Sequence, residues 1–600
     1  MQRRHFCKLF GAAGAASAVR GWSQSIGSSE GAPEFNRYQL TYAQFCALPD
    51  HKRVFYKVSG NRIIPTRLDD TSWKATAWGD PEKLPIPGDS WDGVPLDSPI
   101  ADLAGQGPYK PTWDSFQQYE VPEWYQDAKF GIWAHWSPQC VPEDGDWYAR
   151  NMYLQGSDQY KFHLSHYGPQ SRYGYKDLCS QWTLLNWEPE ALMTRFKKAG
   201  ARMFFALANH HDSFDTWNSH HQPWNSVAIG PHRDVIGTWA AEARKQDLRF
   251  GVTVHQARNW WWMQPSHGSD ETGPAAGVSY DGQLSQTEGE HQWWQGMNSH
   301  LLYGVKHPDD ALPDISYVKN FYDRTRDLID QHNPDLLYFD NSLLPLGWGG
   351  MNIGAYFYNN NLLTHQGRME AVLNIKQVPD RYAKTVVADY ERGLTSGIMK
   401  YPWQSETCIG DWHYNRALYE KSGEYGGYLT PREVIHWLID TVSKNGVFIL
   451  NIPGRPDGTL DTKEIAVLDG ITAWMTMNGE AIYETRPWKI YGEGPNAVKS
   501  GSFEGKSVKN LGVQDVRFTR NKANNAVYAS LLGWPTVPFT INALGTAAKE
   551  SPGRVVNVEL VGTSLKLKWK QLANGLRIEP PPSYRPPVDY AAAFKVTLAS

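Results

Sequence analysis

Cysteine is scarce in this chain, with five in 600 residues: Cys7, Cys46, Cys140, Cys179 and Cys408. No two have Cys-x-x-Cys spacing, which excludes a zinc ribbon or a thioredoxin-type site. An oxidising compartment would allow one or two disulfides among the last four. Long apolar runs are also missing. None approaches the ~18 residues a membrane-spanning helix needs, so no membrane span is expected. Neither charge dominates: 59 Lys and Arg face 63 Asp and Glu, a net charge of -4. That balance offers nucleic acid no basic surface and leaves no strongly acidic tail. No internal repeat of fixed period is visible, which argues against solenoids and propellers.

What the chain does have is aromatic mass, with 27 Trp and 31 Tyr. Most of these serve a large core. Some suit sugar binding, because the C–H faces of a pyranose pack on aromatic rings while hydroxyls seek polar groups. The length calls for two to four domains, unless one is an α/β barrel. The first residues read as a targeting segment. Arg3-Arg4 precede Phe6, Lys8 and the small-residue run from Gly11 to Ala18, the pattern of a twin-arginine signal peptide. Export to the periplasm or medium is the expectation, and Cys7 would leave with the signal.

The domain reading is a signal peptide over 1–24, then a linker and irregular N-terminal extension over 25–117. A catalytic (β/α)8-like barrel follows over 118–480, and a C-terminal antiparallel β-sandwich over 481–600. The extension is rich in Pro, Gly, Asp and Trp and should lie over the main domain. The barrel shows short apolar runs alternating with amphipathic stretches, as buried parallel strands and their helices require. Strands are expected at 129–136, 202–209, 248–255, 335–340 and 447–452. Helices are expected at 189–200, 233–246, 316–332 and 433–444. After about 485 the period becomes two. Leu565, Leu567 and Trp569 alternate with lysines, and Val556, Val558 and Leu560 alternate with Asn557 and Glu559.

In such barrels the site lies at the C-terminal strand ends. His135, His210-His211-Asp212, His255, Asp340 and Asn451 each follow one apolar run, so a polar rim is expected. A metal is one reading of three histidine clusters and a carboxylate. Against it, His135 lacks a His-x-His partner, and the adjacent His210 and His211 should point apart. No metal or other cofactor is expected. Neutral imidazoles beside aromatics suit a polyol. Asp340 ends a buried strand, where a carboxylate is costly unless hydrogen-bonded or functional. Glycoside hydrolysis needs a second carboxylate, and Asp389, Glu391, Glu406 and Asp411 are available.

Six stretches resemble glycoside hydrolase family 29, the α-L-fucosidases: KFGIWAHWSPQCVPEDGDWYARNMY, LANHHDSFDTW, HNPDLLYFDN, PWQSETCIGDWHYN, LIDTVSKNGVFILNIPGRPDG and NGEAIYETRPW. They span about 118–490 in the family's order. The resemblance implies a retaining exo-fucosidase that acts on fucosylated oligosaccharides or glycoconjugates. Asp340 would be the nucleophile. Glu391, in ADYERG, is favoured as acid/base, with Glu406 as the rival. His135, Trp136, His210, His211, His255, Tyr338, Trp412 and Arg392 (or Arg381) would contact the sugar. Asp146 stands where many relatives carry Glu, which puts that residue's role in question. Trp147 and the NWWWM run 259–263 are candidates for aglycone contacts or for packing under the extension. Two other functions stay open: an inactive fucose-binding protein on a hydrolase scaffold, and a metal-dependent barrel hydrolase.

Overall fold

The computed structural model describes residues 103–308, 313, 315–342, 344–376 and 378–599, with two short paired strands upstream, Tyr56–Ser59 and Arg62–Pro65. The segments expected to be a signal peptide and a linker, most of the expected extension, and Cys46 lie outside the described residues. Cys140, Cys179 and Cys408 are buried free thiols. No helix among the described residues is long and apolar enough to cross a membrane.

Eight strands close into a barrel in sequence order: β1 (Phe130–Ala134), β2 (Met203–Asn209), β3 (Arg249–Val254), β4 (Leu336–Ser342), β5 (Val372–Lys376), β6 (Val387–Glu391), β7 (Trp403–Cys408) and β8 (Gly446–Asn451). β8 pairs in parallel with both β7 and β1, which closes the ring. Side chains alternate between the two faces of each strand. One parity fills the lumen with Trp133, Met203, Phe205, Leu336, Tyr338, Val372, Val387 and Ile449. The helix α1 (Glu123–Ala128) plugs its lower end, where the Tyr125 hydroxyl donates to Gln404 Oε1 at 3.0 Å. The other parity, including Ile132, Phe204, Phe250 and Leu337, packs outward on the helices.

Those helices carry clear start signals. α2 (Pro189–Lys198) opens on proline, α3 (Val235–Lys245) is capped by Asp234, and α4 (Ile315–His332) follows. α5 (Trp348–Thr364) was not expected. It starts at Trp348, shortly after β4 ends at Ser342. Its outer side is covered too, because Asn359 Nδ2 donates to the carbonyls of Ala104 and Tyr109 at 2.9 and 2.8 Å. Tyr119 also stacks on Tyr358, centroids 4.6 Å apart. The last part of the extension therefore lies across the barrel. α6 (Pro431–Ser443) and α7 (Thr462–Asn478) begin with capping boxes, Thr430/Glu433 and Asp461/Glu464. Among the described residues no α-helix joins β5 to β6 or β6 to β7.

The C-terminal domain is two antiparallel sheets. One holds β9 (Thr485–Glu493), β10 (Val516–Asn521), β11 (Ala526–Leu531), β13 (Val555–Leu560) and β16 (Ala592–Leu598), in the order β9-β10-β11-β16-β13. The other holds β12 (Phe539–Ile541), β14 (Lys568–Leu572) and β15 (Gly575–Glu579), with β15 in the middle. Phe518, Phe594, Leu576 and Ile578 form the core between them. The expected alternation from Val556 needs a correction. A register shift between Val555 and Asn557 buries Val555 and leaves Val556 48% exposed. The domain docks on α6 through charge. Asp440 accepts from Arg517 at 2.6 Å and from Lys444 at 2.7 Å, and all three are buried.

Candidate active site

Strand parity brings the polar residues together. On β4 the lumen-facing series runs Leu336, Tyr338, Asp340. On β5 it runs Val372, Asn374, Lys376; on β6, Val387, Asp389, Glu391; on β7, Gln404, Glu406, Cys408. On β1 it continues from Trp133 to His135. The top of each series borders one cavity of about 1230 Å³, whose walls include Trp133, His135, His210, His211, His255, Tyr338, Asp340, Lys376, Glu391, Arg392 and Trp412.

Asp340 is nearly buried. His211 Nε2 lies 3.3 Å and His255 Nδ1 3.4 Å from its Oδ2. The Lys376 ammonium contacts its Oδ1. Burial alone would raise the Asp340 carboxyl. The Lys376 and Arg258 charges and the two imidazoles outweigh it and hold the group well below the usual carboxylate range. Lys376 also contacts Glu391 Oε2, so one ammonium joins the two carboxylates. Glu391 Oε1 accepts from Trp412 Nε1 at 3.3 Å. Arg392 covers the other side of the Trp412 ring at 5.3 Å and donates to Cys408 Sγ at 2.8 Å.

His135, His210 and His255 are neutral donors and acceptors. Burial keeps His135 and His210 well below their ordinary pKa, helped by neighbouring imidazoles. His255 is lowered to about 4 by burial, with Asp340 opposing. Gln139 Nε2 lies 2.8 Å from His210 Nδ1 and His211 Nδ1 lies 2.8 Å from the His255 carbonyl, which leaves His210 Nε2 for the cavity and His211 Nε2 for Asp340. Among the described residues neither ring nitrogen of His135 has a hydrogen-bond partner. A buried imidazole needs hydrogen-bond partners, and a sugar hydroxyl can both donate to it and accept from it.

His210 and His211 do not point apart, as expected from their adjacency; their ring centroids are 4.3 Å apart. Donor atoms of His210, His211 and His255, and of His135, Asp146 and His210, lie within 4.8 Å of one another, close enough to gather a cation.

Several expected residues fall elsewhere. Trp136 has the opposite parity to Trp133 and His135. It packs outward against Trp239, at 5.6 Å, and Trp187, at 6.4 Å, away from the cavity. The lumen-facing Trp133 takes its place. Asn451 braces the rim by accepting from His135 N–H at 2.9 Å. Asp212 accepts from the Tyr175 hydroxyl at 2.6 Å, outside the cavity lining. Arg381 stacks on Tyr382 and does not border the cavity. Glu406, by contrast, does border the cavity, one layer below the rim, 1% exposed and accepting from Tyr338 at 2.9 Å. Asp146 borders the cavity and accepts from His413 Nδ1 at 2.6 Å, and the other nitrogen of that ring meets Ser137 at 2.7 Å. Trp147 reaches the cavity and Trp262 packs beside it, whereas Trp260 stacks on His307. Lys376 was not anticipated because β5 was not read as a strand, and neither was Arg258, which ends the short turn Gln256–Arg258 after β3.

A closed parallel barrel with carboxylates, neutral histidines and aromatics at its C-terminal rim defines a glycoside hydrolase. Its family follows from comparison. Residues 99–480 match the alpha-L-fucosidase family model and residues 509–597 the alpha-L-fucosidase C-terminal domain. The chain therefore belongs to the α-L-fucosidase family, as the six stretches implied. Human tissue alpha-L-fucosidase is 26% identical over 82% of this chain and 92% of its own length. The enzyme of Macaca fascicularis is also 26% identical, over 82% and 91%. Among solved structures, Thermotoga maritima alpha-fucosidase with a mechanism-based inhibitor superposes with a TM-score of 0.61 at 24% identity, covering 82% of this chain and all of the other.

Proposed function

We propose that this protein is an exo-acting, retaining α-L-fucosidase with Asp340 as nucleophile and Glu391 as acid/base. The spacing of these two groups carries the proposal. One ammonium, Lys376 Nζ, touches an oxygen of each. Two contacts of about 2.8 Å put those oxygens at most roughly 6 Å apart. Retaining pairs lie about 5–5.5 Å apart and inverting pairs about 6.5–9.5 Å. Glu406 is the poorer choice for the acid/base role, because it lies 1% exposed one layer below the rim, with Tyr338 donating to its Oε1, and has no contact with Lys376 comparable to that of Glu391. The packed lumen makes the cavity blind, which suits a terminal sugar rather than a threaded chain.

In the first step an Asp340 oxygen bonds to the anomeric carbon of fucose as the glycosidic C–O bond breaks, and Glu391 gives its proton to the leaving oxygen. In the second step Glu391 takes a proton from water, whose oxygen attacks the same carbon and releases Asp340. Neutral His135, His210 and His255 exchange hydrogen bonds with ring hydroxyls, and Trp133, Tyr338 and Trp412 pack the apolar faces. Asp340→Gly should lower kcat on an aryl α-L-fucoside by at least about 10³-fold. Azide should restore turnover to Glu391→Ala, giving fucosyl azide of retained configuration, and should not restore it to Glu406→Ala. Rescue of only the second variant, or near-normal kcat in Asp340→Gly, would refute the assignment.

A further inference from the structure

Three Trp or Phe side chains are exposed among the described residues: Trp147 at 41%, Trp293 at 48% and Phe503 at 64%. Two of them, Trp147 and Phe503, border the cavity. Both have left-handed backbones, with φ of +64° and +65°. Bulky residues rarely adopt that region, and where they do, the surroundings hold them there for a reason.

Phe503 does not belong to the barrel. It comes from the C-terminal domain, in the segment between β9 and β10. That segment is fastened to the chain around Glu391. Leu394 and Gly501 exchange both main-chain hydrogen bonds, at 3.2 and 2.8 Å. Phe503 N–H donates to the Glu391 carbonyl at 2.9 Å, and Gly505 N–H donates to the Arg392 carbonyl at 2.8 Å. Gly505 lies so close to Trp437 that a Cβ there would sit 1.9 Å from its ring. An exposed phenyl ring is thus fixed by its own backbone to the main chain of Glu391. Trp147 stands across the mouth, near His211 and Trp262, on the β2 side of the eight-strand ring. Glu391 lies on β6, four strands away.

We propose that Phe503 is the platform for the first sugar of the aglycone, a pyranose that stacks on the phenyl through its C–H face, with Trp147 as the facing wall. This rests on the assignment of Glu391 as acid/base: whatever carries the leaving oxygen must pass beside Glu391, and Phe503 is the exposed apolar surface there. Ser502, Glu504 and Lys506 flank the ring with polar groups for hydroxyls.

The test compares α-L-fucosyl fluoride, whose leaving group is too small to reach Phe503, with a trisaccharide carrying a terminal α-L-fucose. In Phe503→Ala the ratio of kcat/KM, trisaccharide over fluoride, should fall about tenfold or more, mainly through KM, the order expected for one lost aromatic contact. Phe503→Trp should bring the ratio back to within about threefold of wild type. A ratio unchanged in Phe503→Ala overturns the proposal. So does an equal loss on both substrates with an altered sedimentation coefficient, which would make Phe503 a contact between copies. If the wild type cleaves neither substrate, it is the fucosidase reading that fails. Trisaccharide binding by calorimetry then decides: weaker in Phe503→Ala supports the platform, and equal affinity overturns it.

Discussion

Asp389 and Glu406 face the lumen one layer below Asp340 and Glu391. Burial pushes both carboxyls up, Asp389 to about 8 and Glu406 well above its usual range. Gln404 donates to Asp389 at 2.8 Å and Tyr338 donates to Glu406 at 2.9 Å, which holds the pair in place. Between the ordinary carboxylate value near 4 and about 8, the folded chain keeps a proton that the unfolded chain releases. Stability should therefore fall as pH rises through that window, by up to ~1.4 kcal/mol per pH unit for each retained proton. Asp389→Asn removes one such group. Its thermal midpoint should drop less between pH 5 and pH 8 than that of the wild type in scanning calorimetry, and parallel profiles would exclude the effect. At this scale the sequence spoke unevenly. Asp340 was legible because a buried apolar strand ends on it. Lys376 was not, although it touches both carboxylates, because Asn374 and Lys376 itself break up the short apolar run from Ala371 to Ile375. Trp136 was misplaced for want of a parity count from Trp133.

Elements show the same pattern more broadly. The five strands read from sequence, β1 to β4 and β8, are long or continuously apolar. β5, β6 and β7 were missed. Their inward positions are Asn374, Lys376, Asp389, Glu391, Gln404 and Glu406, which interrupt any hydrophobic run. The polarity that builds the site therefore hides the strands that carry it. α5 was hidden differently. Three glycines and four asparagines lower its helical propensity, and burial by the extension and the barrel overrides that deficit. The segment from Gly501 to Gly505 is held by close approach. Gly505→Val would force side-chain atoms into the Trp437 ring and the Arg392 carbonyl. The strain should cost roughly 1–3 kcal/mol locally. Limited proteolysis should then cut between 500 and 510 in the variant while the wild type stays intact. Equal resistance would mean that the segment tolerates displacement.

The whole molecule is joined across its domain boundary by the buried cluster Asp440, Lys444 and Arg517. Tyr491, on β9, packs against both cations, 4.8 and 5.5 Å from its ring centre. Removing the one anion leaves two buried cations facing each other. Asp440→Ala should lower stability by about 3–5 kcal/mol, read as a lower thermal midpoint for the C-terminal unit in calorimetry. A midpoint within about 1 °C of wild type would show that the cluster is not a structural link. The two-domain layout was legible as a switch of period from helical to two near residue 485. The dependence of the cavity wall on the second domain was not, because no local pattern marks a loop that docks on a distant strand. The order β9-β10-β11-β16-β13 has a temporal side as well. β11 takes its second neighbour from Ala592–Leu598, far downstream. A ribosome moving at ~5–20 residues per second needs roughly 3–12 s to pass from Leu531 to Ala592. Throughout that interval the nascent hairpins present the apolar edge of Ala526–Leu531 unpaired. Chaperone demand during synthesis should therefore peak late, after the barrel sequence has already emerged.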